Sequence, residues 1–324
     1  MINSHISLLS WYTSNGRHEL PWRTTDDVYH VYISEVMLQQ TQVKRILDEY
    51  YFPFLERFPS LYDLANADIE EVFSLWSGLG YYRRAANLHK SAKLCAPSLP
   101  TTVEELLKLP GIGRYTAHAI ISFGYKECVS VVDTNIARVL TRFFALRNPS
   151  DAELWQKADE FLNTQNPTHH NLALMDLGSL ICLPKNPTCH TCPLQLECVG
   201  QHVIEDFTKT KKTIYTDKNL YFAIYIKDGK IAMQRKNDGM YKDMLTLPAL
   251  ESPLDDDCIG SFKHAVTRYK LEIYLYRCTS LDADDLLWID LQDISTQAIS
   301  SMTQKALQLV EAELHKGQIC NKLS

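Results

Sequence analysis

The chain has 324 residues, 45% of them hydrophobic and 22% charged, with 12 glycines and 13 prolines. That composition belongs to a globular protein able to bury a core without disulfide staples, and it excludes collagen-like, low-complexity and disordered classes. Its net charge of −6 does not announce a nucleic-acid partner, so any contact with DNA has to come from local clusters and backbone geometry. No apolar run approaches the roughly 18 residues of a membrane span. The opening Met1-Ile2-Asn3-Ser4-His5 lacks a basic stretch leading into an apolar one. A cytoplasmic protein is therefore expected.

Up to residue 205 apolar residues recur with helical spacing, as in Leu8, Trp11 and Tyr12, and prolines and glycines punctuate segments of helical length. Val28, Val31, Tyr32 and Glu35 follow the i, i+3, i+4, i+7 pattern, which puts Glu35 on the apolar stripe of its own helix. A carboxyl there should hold its proton near neutral pH, making it a candidate general acid. Leu109-Pro110-Gly111-Ile112-Gly113-Arg114-Tyr115 is a glycine turn opening a helix, where free backbone N–H groups suit a phosphate. In Val131-Val132-Asp133-Thr134-Asn135, the aspartate reads locally as a helix N-cap.

Four of the nine cysteines, Cys182, Cys189, Cys192 and Cys198, fall within 17 residues, while the other five are scattered as small hydrophobes. Four thiolates in one loop suit a tetrahedral zinc or a four-iron cluster; one two-residue knuckle with wider gaps favours the cluster. Residues 206–218 are polar and Lys/Thr-rich, as in a linker. Beyond them, Asp228-Gly229 between Tyr221–Ile226 and Lys230–Arg235 signals a hairpin. Lys270–Tyr276 alternates as a strand, and Ala306, Leu307, Val310 and Leu314 mark a closing helix. The expected architecture is multidomain: an all-α domain over 1–205 with a cysteine loop at 182–198, a linker at 206–218 and a small α+β domain over 219–324.

The glycine hairpin, the Val-Asp-x-Asn stretch and the cysteine spacing together resemble the helix-hairpin-helix DNA glycosylases of the endonuclease III superfamily. Ser34-Glu35-Val36-Met37-Leu38-Gln39-Gln40-Thr41-Gln42-Val43 is similar to the signature of its MutY adenine glycosylase branch, with several motifs spread over residues 5–200. The resemblance implies a [4Fe-4S] cluster on the four cysteines and catalytic roles for Glu35, Asp133 and Tyr115. It implies an adenine pocket near Arg17, Trp22 and Arg23, and DNA contacts from Gln40, Thr41, Tyr81, Gly111, Gly113 and Lys185. Tyr115 stands where endonuclease III-like enzymes carry a nucleophilic lysine, so a glycosylase without lysine-dependent lyase activity is expected. The implied partner is duplex DNA with adenine opposite 8-oxoguanine or guanine, bound by a monomer in a bacterial cytoplasm.

The C-terminal half resembles the family's Nudix-like domain more weakly, and it lacks a glutamate-rich Nudix box, so no magnesium hydrolase site is expected. Gly239–Pro248 looks like a diverged family stretch. In Phe262–Tyr269, which resembles the lesion-reading hairpin, Thr267 and Arg268 would face the 8-oxoguanine. Two rival readings differ in class: a related mismatch or oxidised-base glycosylase, which Glu35 argues against, and a non-catalytic damage-binding iron–sulfur protein, which Glu35 and Asp133 together argue against.

Overall fold

A computed structural model describes residues 2–207, 215–236, 244–254, 258–266, 268–281, 285–294, 297 and 299–320, without the side chains of 204–206 and 313–320. The chain divides into two compact units, Met1–Asn66 with Asn87–Thr210, and Ala67–Ala86 with Lys211–Ser324. The grouping of 67–86 with C-terminal residues, through bonds such as Gln304 Nε2 to Ser77 Oγ at 3.1 Å, has no signal in the sequence.

The first unit is helical, and several of its helices start where the sequence supplies caps. Asp27 accepts from Tyr29 N ahead of Val28–Met37, and Thr102 from Glu105 N ahead of Val103–Leu106. Asp133 accepts from Ile136 N ahead of Thr134–Phe143, and Pro167 opens Pro167–Leu180. The core that orders them includes Leu8, Tyr12, Val31, Ile136, Leu140, Phe143, Phe161 and Leu177, all buried. Truncating one such leucine to alanine costs about 2–5 kcal/mol, so these few contacts fix where the helix starts lie. No described helix is long and apolar enough to cross a membrane.

The second unit carries eight strands among its described residues: β1 (Thr216–Ile224), β2 (Ile226–Lys227), β3 (Lys230–Arg235), β4 (Leu245–Thr246), β5 (Ala249–Leu250), β6 (Cys258–Val266), β7 (Tyr269–Arg277) and β8 (Leu287–Asp290). One sheet has the order β5-β1-β7-β6; the other runs β2-β3-β4 with β8 also paired to β3. β1 lies parallel to β7, from Thr216 opposite Tyr269 to Ile224 opposite Arg277. Asp228 and Gly229 turn β2 into β3 with φ of 52° and 75°, the left-handed pair that a two-residue hairpin requires. Leu271, Ile273 and Leu275 face a core shared with Ala306 and Val310 of the helix Ser301–Cys320; the Leu314 side chain lies outside the described residues.

Two expectations need correction. The linker does not extend to 218, because Thr216, Asp217 and Lys218 are strand residues paired with Tyr269, Lys270 and Leu271. Backbone pairing with β7 is indifferent to their polar side chains, which stay exposed. Of the scattered cysteines read as small hydrophobes, Cys128 and Cys258 are exposed.

Candidate active site

A cleft of about 1080 Å³ opens in the first unit, and residues from six separate stretches of chain line it, among them Arg23, Glu35, Tyr115, Asp133, Leu154 and Met175. The helix Val28–Met37 delivers Glu35, which is only 5% exposed. Burial pushes its carboxyl up to about 7, with Asp133 adding to the rise and the Tyr115 hydroxyl and Arg23 opposing it. Tyr115 donates from its hydroxyl to Glu35 Oε2 at 2.6 Å. Burial and the adjacent carboxyl keep that phenol protonated, well above its ordinary range.

Tyr115 comes from the helix Arg114–Ala119, which follows the turn anchored by buried Leu109 and Ile112. Gly111 has a φ of +78°, and a Cβ there would stand 2.7 Å from Asn87 Cβ, so both dihedral and space demand glycine. Gly113 is the extended N-cap of the next helix and has no capping side chain. Its carbonyl accepts from Ala117 N at 2.9 Å, and no side chain caps the first N–H groups of the helix.

Asp133 has two tasks. Its Oδ1 accepts from Ile136 N at 2.6 Å, capping Thr134–Phe143, while Oδ2 accepts from Asn135 Nδ2 at 2.8 Å and faces the cleft. Burial raises its carboxyl above the usual carboxylate value, against these hydrogen bonds. The helix Pro167–Leu180 packs so closely behind it that a Cβ on Gly178 would meet Asn135 Cβ at 2.6 Å. Arg138 ties the corner together, donating to Asn135 Oδ1, Gly178 O and Cys182 O.

The residues expected to bind the base are present on the cleft wall, with a partner the sequence did not name. Arg17 and Arg23 both bond Asp176, a carboxylate buried in the middle of Pro167–Leu180. Trp22 is buried edge-on against Tyr51 while also lining the cleft. Lys126 lines it too, its ammonium donating to Phe123 O. Asp176 had one available signal: like Glu35, it is a carboxylate set among apolar helix positions, here Leu172, Ala173, Leu174 and Leu177.

The four clustered cysteines line one small cavity, with Arg142 beside them. Buried Arg142 donates to Cys182 Sγ at 3.3 Å and to the carbonyls of Leu183 and Pro184. Gly200 lies so close that a Cβ would overlap the Arg142 carbonyl. Among the described residues no group of three His, Cys, Asp or Glu closes on a single metal ion.

Of the other sequence-named residues, Gln40 and Thr41 line the cleft, and Gln40 has a φ of 59°. Tyr81 is exposed with a φ of 50°, between Gly80 at 78° and the Arg84 guanidinium stacked over its ring. Lys185 is exposed. Arg268 donates to the Tyr269 hydroxyl at 3.1 Å. Thr267 and Gly239–Asp243 lie outside the described residues.

Residues 33–164 match the HhH-GPD superfamily of base excision DNA repair proteins. An adenine DNA glycosylase of Buchnera aphidicola subsp. Baizongia pistaciae is 38% identical over 254 residues, which cover 75% of this chain and 72% of that protein. The human adenine DNA glycosylase is 41% identical over 217 residues, covering 61% of this chain and 39% of its own. Among solved structures, a thermostable thymine-DNA glycosylase aligns with a TM-score of 0.58 at 25% identity over 61% of this chain and 95% of its own. An endonuclease III trapped as a covalent intermediate on DNA aligns at 0.54 and 20% identity over 62% of this chain and 95% of its own, a likeness of fold. The extent and level of the sequence match decide the family: this chain belongs to the adenine DNA glycosylases, and is a DNA N-glycosylase that removes adenine in base excision repair.

Proposed function

We propose that the enzyme removes adenine mispaired with 8-oxoguanine or guanine in duplex DNA, by acid-catalysed hydrolysis that leaves an intact abasic site. The observation that carries this reading is a protonatable glutamate, Glu35, hydrogen-bonded to Tyr115 and sharing a cleft with the capping carboxylate Asp133. The adenine turns out of the stack into the cleft, against the wall of Arg17, Trp22 and Arg23. Glu35 gives its proton to N7, and the N9–C1′ bond breaks with its electron pair going to the base. Asp133 stabilises the positive sugar or captures it covalently, as one carboxylate of a retaining glycosidase pair does. Water then adds its oxygen to C1′, displacing Asp133 where that bond has formed, and its proton passes to the ionised Glu35 carboxylate. Tyr115, standing at the lysine position of the lyases, offers a neutral hydroxyl and no amine.

The duplex is held by backbone N–H groups at the Gly111–Gly113 turn, with Gln40 filling the vacated space, Thr41 on the DNA and Lys185 on phosphate; Tyr81, in the second unit, is assigned separately to filling the duplex. Cys182, Cys189, Cys192 and Cys198 would hold a [4Fe-4S] cluster; four thiols around one cavity beside the buried Arg142 cation fit its donor set and charge. Arg142, on the helix that Asp133 caps, joins that helix to the cysteine loop through Cys182, Leu183 and Pro184, and a bound cluster would supply structural order to the loop. Arg268, with Thr267, is assigned to reading the opposing base. The reading includes a monomer acting in a bacterial cytoplasm.

The test is a single-turnover assay on duplexes with adenine opposite 8-oxoguanine, guanine or thymine, each split with and without alkali. Strand breaks only after alkali, fastest opposite 8-oxoguanine, are expected. Equal rates opposite all three bases would overturn the mispair assignment, and breaks without alkali would overturn the absence of lyase chemistry.

A further inference from the structure

Asp176 lies six residues before the first cluster cysteine and is fully buried, yet the mechanism above gives it no task. Its Oδ2 accepts from Arg17 N at 2.9 Å and from Arg23 Nη1 at 2.6 Å. Its Oδ1 accepts from Arg17 Nε at 2.7 Å and from Arg23 Nη2 at 2.9 Å. The Asp176 side chain is 0% exposed and that of Arg23 6%, whereas Arg17 is 27% exposed and reaches the cleft mouth. Arg23 also donates to the Arg17 carbonyl at 3.3 Å, so both arginines and the chain between them are fastened to one carboxylate.

We propose that Asp176 is a positioning residue for the general acid, fixing Arg17 and Arg23 to the cleft wall and offsetting their charge beside Glu35. The groups facing Glu35 come from three elements: Tyr115 and Asp133, already described, and Arg23 from the short helix Pro21–Thr24. Arg17, Lys126, Asp151 and His169 also line the cleft, the imidazole held below its ordinary range by burial. Of these, Arg23 is the cation whose field acts on the Glu35 carboxyl. A positive charge facing a carboxyl favours its ionised form, so an unanswered Arg23 charge on the same cleft would draw the acid toward losing its proton. Asp176 answers that charge with a two-pronged ion pair to the guanidinium. Arg23 can then stay in the pocket as a donor while Glu35 remains an acid.

This inference rests on Glu35 acting as the general acid, and the experiment separates the two. Single-turnover rates are measured from pH 5 to 9 for the wild type, Asp176→Asn, Arg23→Met and Glu35→Gln, with a thermal melt of each at every pH. In the wild type the rate should fall above about pH 7. Asp176→Asn should move this alkaline limb down by on the order of one pH unit, so that its rate deficit is about tenfold larger at pH 8 than at pH 5.5. Arg23→Met should move the limb the other way. Opposite shifts are not expected of two variants that merely loosen the wall.

A deficit in Asp176→Asn that is the same at every pH overturns the proposal, since it leaves only a scaffold role. Should Asp176→Asn fail to fold, Arg23→Met decides alone: an alkaline limb unmoved or lowered overturns the proposal. A wild type with no alkaline limb, or a Glu35→Gln variant with undiminished rate, overturns the general-acid reading itself and this inference with it.

Discussion

Replacing Glu35 with glutamine reads stability and chemistry from the same atom. The carboxyl is buried, and its proton affinity is raised from 4.5 to about 7 in the folded protein. Each unit is worth about 1.4 kcal/mol. Above pH 8 the wild type therefore carries a penalty of about 3 kcal/mol for burying the ionised form. The sign follows from the raised folded-state value: the penalty is absent below about pH 4, grows as pH rises from 4.5 to 7, and is complete above. Glutamine keeps a carbonyl to accept from Tyr115 and cannot ionise. Glu35→Gln should thus melt near the wild-type temperature at pH 4.5 and about 6–12 °C above it at pH 8, at the usual 2–4 °C per kcal/mol for a unit of this size. Its single-turnover rate should fall by about 10²–10⁴, the typical contribution of a positioned proton donor, and the remaining rate should lose its alkaline limb. Melts across the pH series and quenched single-turnover time courses supply both readouts. A melting difference that stays constant from pH 5 to pH 8 would falsify the buried-acid argument, whatever the activity does.

Asp133→Asn should keep the helix cap, because an amide oxygen can still accept from Ile136 N, while turnover drops at least a hundredfold. Asp133→Ala should lose about 1 kcal/mol more; near-normal turnover in the asparagine variant would remove Asp133 from the chemistry. Tyr115→Phe deletes the 2.6 Å bond that favours ionised Glu35, so the alkaline limb should move to higher pH, and a limb left in place in the rate–pH profile would contradict that. Gly111→Ala must place a Cβ 2.7 Å from Asn87 Cβ at a φ of +78°. A loss of about 1–3 kcal/mol in denaturant melts and weaker duplex binding are expected, and wild-type values in both would mean the turn tolerates a side chain.

Much of the site was legible along the chain because its signals are local. Glu35 was placed by four residues at helical spacing, and burial of Val31, Tyr32 and Glu35 follows from that periodicity. Asp133 read as a cap within its own turn, and the structure gives it that bond. The Asp228-Gly229 hairpin depends on two dihedrals that those residue types favour. In each case the information lies within one turn of helix or one hairpin.

Composition and spacing determined the class of the first unit, the burial of Glu35, the glycine turn and the gathering of four thiols in one loop, since a backbone of fixed geometry converts such patterns directly into faces and turns. Only the tertiary structure decided what those groups meet. Tyr115 finds Glu35 across 80 residues of chain, and Arg17 and Arg23 find Asp176 across more than 150. The polar residues Thr216–Lys218 became strand by pairing with β7. Such partners are chosen by packing between distant segments, where the energy of each contact depends on the simultaneous presence of all the others, and no periodicity along the chain encodes it.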